Sequence, residues 1–399
     1  MRKSVQTLYI LLIVSAGSFP VFAQNGNTSS GPQLNAIQTA VPFMTITPDS
    51  RAGALGDVGV ATSPDINSQN WNPAKYPFIE SEGGVAVSYT PWLRQLINDI
   101  NLAYLAGFYK FRDNQVVSAS LRYFSLGQIL FTDNYGTPQG FYVPNEFAID
   151  AGYSRLLTDR FSGGIVFRFI RSDMKSSALI EGTRPAVAFA GDLGFYYRNS
   201  DMILGKKDGT LALGVDISNM GNKISYSENT EKYFLPINLR LGGALTIEMD
   251  EYNSITFMTD LNKLLVPTPP IYDTTSGPLK VLYGMDPNVP TPIGMIHSFY
   301  DAPGVLMDDG SRSVFREELH EITIGAGMEY WYREQFAIRA GYFHEHETKG
   351  NRKYFTMGIG LRLNVFALDF SYLVPVKQNN PLANTLRFSL EFEFGKPNQ

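Results

Sequence analysis

The sequence predicts an all-β protein, a 14-stranded antiparallel transmembrane β-barrel with an N-terminal luminal plug segment. Three observations support this prediction. From Gly83 onward, segments of about ten residues alternate apolar with polar or small side chains, the pattern of strands that face lipid on one side. The breaks between these segments alternate between short and long. Aromatic residues make up 13% of the chain, with 22 Tyr and 27 Phe.

The first residues predict export. Residues 1–23 have the features of a secretory signal peptide: Arg2 and Lys3, an apolar run over 8–14, and a cleavage site before Gln24. The apolar run is too short to anchor the chain as a membrane helix. The sequence has no cysteine, which excludes a lipid-modified cysteine and disulfides. The net charge of −5 argues against nucleic acid as a partner.

We divide the rest of the chain into three parts. Residues 24–42 form a polar leader that we expect on the periplasmic side. Residues 43–78 are rich in glycine, proline and asparagine and lack strand or helix periodicity, so we interpret them as the plug. Residues 79–399 form the barrel.

Two groups of plug residues are expected to shape its backbone. The first group allows positive φ angles, and its members are Gly53, Gly56 and Gly59. The second group forms a tight anchored turn, with Asn72, Pro73 and Ala74. A phosphate-binding loop does not fit this segment, because the glycine spacing is wrong and no hydrophobic strand precedes it.

The alternating segments define the strands of the barrel. In the last segment, apolar residues from Leu386 to Phe394 alternate with polar residues such as Arg387 and Glu391. The predicted strands lie near 83–90, 99–111, 115–126, 145–157, 161–172, 185–198, 209–218, 234–249, 253–264, 319–332, 335–347, 352–363, 365–376 and 384–394.

The breaks predict the orientation of the barrel. Short breaks fall at 112–114, 158–160, 199–208, 250–252, 333–334 and near Asn364. Longer breaks fall at 127–144, 173–184, 219–233, 265–318, 348–351 and 377–383. Outer-membrane barrels have short periplasmic turns and longer extracellular loops, so we expect the longer breaks outside the cell and both termini in the periplasm.

Charged residues of both signs are predicted to face the lumen. We expect them to pair with one another and with the plug. A lining of one sign would indicate an ion-selective channel, and this lining has both signs. They are Arg122, Asp150, Arg168, Asp192, Asp216, Arg240, Asp260, Glu329, Arg339, Arg362, Asp369 and Arg387.

The extracellular loop 265–318 differs from the other connections in length and composition. It contains eight prolines, which stiffen the chain. Its length suggests a function, and two interpretations remain open: a lid over the barrel mouth, or a surface that docks another protein. The candidate docking residues are Tyr272, Tyr283, Phe299, Tyr300 and Phe315.

Histidines near the same end of the barrel offer a weaker possibility. His320, His344 and His346 are predicted to share a face with Glu318 nearby, which could hold a divalent metal or a lipopolysaccharide phosphate. Polar residues are also ordinary at the depth of the lipid headgroups. No serine stands in a recognisable catalytic order with His and Asp. We therefore expect no catalytic residues, no metal and no cofactor.

These features together resemble two known families. The fourteen strands, the luminal segment and the Asn-Pro-Ala turn resemble the FadL-type long-chain fatty-acid transporters. The run over 47–61, TPDSRAGALGDVGVA, followed by that turn, more specifically resembles the PorV family of the Bacteroidetes type IX secretion system. The resemblance covers essentially the whole chain after the signal peptide.

The second resemblance implies a FadL-like barrel that is not an enzyme but a carrier for protein secretion. Its implied partners are the type IX translocon barrel, the C-terminal signal domains of cargo, and a surface attachment complex with a sortase-like protease. Outer-membrane lipid and lipopolysaccharide would surround it. The alternative function is a FadL-like channel for hydrophobic small molecules. A weaker alternative is an enzyme that acts on the lipid A part of lipopolysaccharide.

Overall fold

A computed structural model describes residues 34–132, 135–174, 184–226, 232–273, 280–377 and 380–395. The predicted signal peptide, 1–23, and the first part of the leader, 24–33, lie outside the described residues. Among the helices of the described ranges, none is long and apolar enough to cross a membrane.

Fourteen strands of the described chain form a closed antiparallel barrel, which confirms the predicted fold class. Each strand pairs with its neighbours in sequence, and β1 closes the barrel by pairing with β14, where Gly83 lies opposite Phe394. The strands are β1 (Gly83–Pro91), β2 (Asn101–Arg112), β3 (Gln115–Ser125), β4 (Asn145–Thr158), β5 (Phe161–Asp173), β6 (Ala186–Leu204), β7 (Lys207–Gly221), β8 (Asn238–Asp250), β9 (Asn253–Leu264), β10 (Thr323–Tyr332), β11 (Phe336–His344), β12 (Lys353–Leu363), β13 (Phe366–Pro375) and β14 (Leu386–Phe394).

The two faces of the strands have the opposite polarity to those of a soluble protein. In β14, Phe388 and Phe392 are exposed on the outer wall, whereas Arg387 and Glu391 are buried in the lumen. The same alternation runs through β12, where Thr356 and its inward neighbours are buried between exposed apolar residues. An apolar outer face and a polar inner face are expected of strands surrounded by lipid.

The connections are sorted by length between the two ends, as predicted. One end has turns at 113–114, 159–160, 205–206, 251–252, 333–335 and 364–365. The other end has the connections 92–100, 126–144, 174–185, 222–237, 265–322, 345–352 and 376–385. The predicted break over 199–208 is wrong, because β6 and β7 continue as one hairpin and turn at Gly205, whose φ is 72°. Only the two-residue turn at its tip leaves the sheet.

The longest connection, 265–322, has secondary structure of its own. It contains the helices α3 (Thr291–His297) and α4 (Val314–His320). It also contains two short hairpins, one pairing Ile271–Asp273 with Lys280–Tyr283 and one pairing Val305–Leu306 with Arg312–Ser313. The prediction that β10 begins at residue 319 is wrong, because α4 occupies that position and the strand starts at Thr323.

Residues 43–78 lie inside the barrel, in contact with strands around most of its circumference. They include two short helices, α1 (Ser50–Ala54) and α2 (Ser68–Trp71), and a 3-10 helix over Pro73–Phe78. Inward-facing strand positions hold glycine where the plug comes closest, because a Cβ there would overlap plug atoms; these are Gly164, Gly194, Gly214, Gly325, Gly327, Gly341 and Gly358. Glycine inside a strand is typical of such close approach.

The leader residues 34–42 lie among the long connections. The amide of Asn35 donates to the carbonyl of Thr348 (2.9 Å), and the amide of Ala40 donates to the carbonyl of Phe234 (2.9 Å). The plug then crosses the whole lumen and joins β1 at the short-turn end. Residues 34–42 therefore lie on the same side of the membrane as the long connections. The prediction that the leader is periplasmic and the prediction that the long connections are extracellular cannot both hold for these residues.

The contact between wall and plug gives a prediction. A methyl group at Gly341 would overlap the backbone of Leu55 and Gly56, so Gly341→Ala should lower the free energy of unfolding by about 1–3 kcal/mol. The measurement is the urea midpoint of the folded barrel in detergent micelles. Gly163→Ala is the matched control, since its Cβ would lie 3.6 Å from its nearest neighbour on the outer wall. Equal midpoints for the two variants would contradict the close fit.

Candidate functional site

The plug turn is fastened to three neighbouring strands. Asn72 is extended (φ −164°, ψ 103°), and its side-chain oxygen accepts a hydrogen bond from the amide of Ala74 (3.0 Å). Its side-chain nitrogen donates to the carbonyl of Phe195 in β6 (2.9 Å). The hydroxyl of Ser154 in β4 donates to the carbonyl of Pro73 (2.7 Å), and Ser162 in β5 donates to that of Ala74. The turn therefore holds this part of the plug against β4, β5 and β6.

Glycine is needed at the three predicted plug positions for different reasons. Gly56 has a φ of 73°, the left-handed conformation expected of all three. Gly53 and Gly59 do not have positive φ. A Cβ at Gly53 would overlap the side chain of Arg387, and one at Gly59 would overlap Trp71. Space, not backbone conformation, requires glycine at these two positions.

An ion-pair network joins the plug to the barrel wall. The guanidinium of Arg51 donates two hydrogen bonds to the carboxylate of Glu329 (3.0 and 2.8 Å) and one to Asp65 (2.9 Å). Glu329 also accepts from Arg339 (2.6 Å), which pairs with Asp369. All of these side chains are buried. Removing one partner of such a buried ion pair strongly destabilises the folded protein, because the other charge is left buried without compensation.

Other luminal charges find partners in the same way. The carboxylate of Asp260 accepts from the plug amides of Gly59 (2.7 Å) and Val60 (3.0 Å). Arg168 pairs with Asp150 (2.7 Å) and Asp192 (2.8 Å) on neighbouring strands. The structure thus places these predicted luminal charges in contact with one another and with the plug.

A cavity of about 550 Å³ remains in the lumen, between the plug and the long-connection end. The leader forms part of its wall through Ile37 and Thr39, and the plug contributes Trp71. The guanidinium of Arg240 stacks on the Trp71 ring at 5.2 Å, and its Nη1 donates to the carbonyl of Asn70 (2.8 Å). Polar and apolar side chains both line this space.

The proposed docking residues of the longest connection all lie on its surface. Their side chains are exposed, with Phe315 the most open at 74%; the set is Tyr272, Tyr283, Phe299, Tyr300 and Phe315. The sequence analysis missed further exposed apolar residues of the same connection, namely Leu282, Ile293, Ile296, Leu306, Val314 and Leu319. Helical spacing is the signal that would have found some of them, because Phe315 and Leu319 are four residues apart on α4.

Helix α4 is turned with its acidic side inward. Glu317 and Glu318 are buried, while Phe315 and Leu319 point to the surface. Glu317 pairs with Lys349 (2.7 Å) and Glu318 pairs with Lys263 at the end of β9 (2.9 Å).

Further polar contacts complete this network at the barrel mouth. Glu321, just after α4, accepts from Lys263 (2.7 Å), Lys349 (3.0 Å) and the hydroxyl of Thr268 (2.6 Å). Asp301 accepts from the amide of Thr268, and burial raises the pKa of Asp301 to about 7. The acidic residues of the connection therefore hold it to the barrel, which leaves its apolar residues outside.

The structure brings together only two of the three predicted histidines. The rings of His320 and His346 stack in parallel with their centroids 3.5 Å apart. Burial lowers the pKa of both side chains, which favours neutral rings at pH 7. His344 instead lies near Tyr342. Within the described ranges, no three His, Cys, Asp or Glu side chains are arranged to hold a metal ion.

Comparison with known proteins gave one family and several distant structures. A family model described as "Type IX secretion system protein PorV" matches residues 29–271. Curated protein sequences gave no match. The Pseudomonas putida toluene transporter TodX is 11% identical with a TM-score of 0.45, over 91% of this chain and 100% of that one. The Ralstonia pickettii toluene transporter TbuX is 11% identical with a TM-score of 0.43, over 88% of this chain and 98% of that one.

The ion pairs of the plug give a second prediction. Arg51→Gln removes the buried ion pairs with Asp65 and Glu329 and leaves Lys75 as the remaining cation near Asp65, so it should lower the free energy of unfolding by about 3–5 kcal/mol. The measurement is again the urea midpoint in detergent. Arg160→Gln is the matched control, because Arg160 pairs with Asp201 on the exposed surface (2.5 Å), and its midpoint should not change. A midpoint for Arg51→Gln equal to that of the parent would show that the network does not hold the plug.

Proposed function

We propose a carrier role in protein secretion, and the premise is that this chain belongs to the PorV family of type IX secretion system proteins. It is an integral β-barrel of the outer membrane. In the proposed role, the barrel receives secreted proteins from the translocon barrel by their C-terminal signal domain. It then delivers them to a surface attachment complex that includes a sortase-like protease. No enzymatic step is part of this proposal.

The observation that supports this role most directly is the exposed apolar surface of the connection 265–322. Aromatic residues are the ones that most often dominate protein interfaces, and Phe299, Tyr300 and Phe315 are exposed on it. The connection is also preorganised, since prolines stiffen it and buried ion pairs hold α4 to Lys263 and Lys349. A preorganised surface loses less conformational entropy on binding than a flexible loop does.

The proposed orientation puts this surface outside the cell. Its support is the sorting of connections, with short turns at one end and long connections at the other. In this orientation the cargo and the attachment complex would meet the exposed residues at the cell surface. The outer wall of the barrel would contact outer-membrane lipid and lipopolysaccharide.

The plug argues against the alternative of a channel for hydrophobic small molecules. Residues 43–78 are bound to the wall by buried ion pairs and hydrogen bonds, and wall glycines touch their backbone. The cavity at the long-connection end has charged and amide side chains in its lining, among them Arg240 and Asn262. Binding sites for hydrophobic ligands are lined mainly by apolar side chains. We therefore propose that the plug closes the lumen.

The orientation can be tested by cysteine labelling, which is clean because the chain has no native cysteine. Ser311→Cys, in the exposed tip of a short hairpin of the connection 265–322, should react with an impermeant thiol reagent on intact cells. Glu251→Cys, in a short turn, should react only after the outer membrane is made permeable. The reverse result would overturn the proposed orientation.

The docking surface can be tested by removing apolar residues without removing the connection. The double variant Ile296→Ser and Phe315→Ser should fold normally but weaken binding of the translocon or cargo by about 10- to 100-fold. Secreted proteins should then accumulate unprocessed inside the cell, and fewer translocon subunits should copurify with the barrel.

A matched control is the double variant Leu96→Ser and Ile97→Ser, because these residues are also exposed and apolar but lie on the connection 92–100. This control should secrete normally. Growth on long-chain fatty acids should be unaffected in both variants. Normal secretion combined with reduced fatty-acid uptake in the first variant would replace the carrier role with the channel.

A further inference from the structure

The leader residues 34–42 connect four separate parts of the long-connection end. We infer that they act as a strap that fastens the longest connection across the barrel mouth and places Leu34 at the docking face. That this face lies outside the cell rests on the proposed function. The strap itself rests on contacts of the described residues.

Asn35 makes the first fastening. Its backbone amide donates to the carbonyl of Thr348 (2.9 Å) in the connection 345–352. Its side-chain nitrogen donates to the carbonyl of Pro269 (3.2 Å), at the start of the longest connection, and to the carboxylate of Glu317 on α4 (2.9 Å). One residue therefore joins both ends of the longest connection to a third segment.

Residues further along the leader make the second fastening. Ile37 packs against a buried apolar cluster that includes Phe234 and Leu265. The amide of Ala40 donates to the carbonyl of Phe234, which belongs to the connection 222–237. The leader thus also binds a fourth segment, on the opposite side of the longest connection in sequence.

The chain then turns sharply into the lumen. Val41 has a φ of 46° and a ψ of 53°, a left-handed conformation that is unfavourable for a β-branched residue. Such strain persists only where the surroundings determine the conformation. Here Val41 is fully buried, Phe43 stacks on Phe124 at 6.2 Å, and Arg122 donates to the carbonyl of Met44 (3.0 Å). These contacts fix the point at which the leader enters the barrel.

The position of the strap has two consequences. The leader lines the 550 Å³ cavity together with residues of the long connections, among them Glu321 and Glu345, so it closes the cavity jointly with them. Leu34, at the other end of the strap, is 76% exposed and precedes Asn35, which binds Glu317 of α4.

Cysteine labelling tests where the strap leads. Leu34→Cys should react with an impermeant thiol reagent on intact cells to the same extent as Ser311→Cys, and Glu251→Cys should not react. If Leu34→Cys and Ser311→Cys do not react under the same conditions, the strap does not reach the docking face and the inference is overturned. If Leu34→Cys and Ser311→Cys react together but only after permeabilisation, the strap holds and the proposed orientation is wrong.

Limited proteolysis of the purified, folded barrel tests the fastening. Asn35→Ala removes both side-chain hydrogen bonds, one of them to a charged group, so cleavage within 265–322 should become about tenfold faster or more. Asn101→Ala is the matched control, because its side chain donates only to the carbonyl of Asp99 on another connection. Cleavage of the Asn35→Ala barrel at the parent rate would overturn the strap. Ile37→Ser, which keeps the bonds of Asn35, tests the second fastening by the same measurement.

Discussion

The lumen of a fourteen-stranded barrel is wider than its own inward side chains can fill, and the rest of this structure depends on how that space is occupied. The inner wall carries charges that would each be costly to bury alone. Residues 43–78 supply many of the missing partners, and the wall supplies partners for them. Glu329 shows this sharing most clearly, since its carboxylate accepts from Arg51 of the plug and Arg339 of the wall.

The same principle organises the mouth of the barrel. The buried ammonium groups of Lys263 and Lys349 need anionic partners, which apolar residues could not provide. The acidic side of α4 provides them. The helix can therefore turn only its apolar side outward. Phe315 and Leu319 are exposed because the opposite side of α4 must pair with the two lysines.

The sequence predicted the barrel well because strand alternation is a local property. Most of the barrel strands were located to within a few residues, and the inward-facing charged residues were identified from the alternation of the strands alone. The errors arose where local pattern and tertiary structure differ. The polar run at Asn199 looks like a turn, yet the hairpin continues through it to Gly205. Leu319 looks like the start of a strand, yet its neighbours Glu317 and Glu318 are held inward by lysines distant in sequence.

The site was less predictable for the same reason. The loop aromatics could be chosen by residue type, but the inward orientation of α4 depends on Lys263 and Lys349, which no local pattern connects to it. The leader lies at the long-connection end because the plug spans the whole lumen before it reaches β1. A segment without strand or helix periodicity does not predict which way it runs through the lumen. Glycine at inward strand positions such as Gly325 and Gly341 was an available signal for the path of the plug.

The threaded path of the plug has a consequence for how the protein assembles. Helices and turns lie in the lumen with wall glycines against their backbone, so this segment could not slide through a barrel that had already closed. We therefore expect the last strand, β14, to pair with β1 after the plug is in place, along the ladder from Gly83 to Tyr89. That pairing joins parts of the chain that are far apart in sequence, so we expect it to be slow. Once it forms, plug and barrel are interlocked and separate only when those hydrogen bonds break.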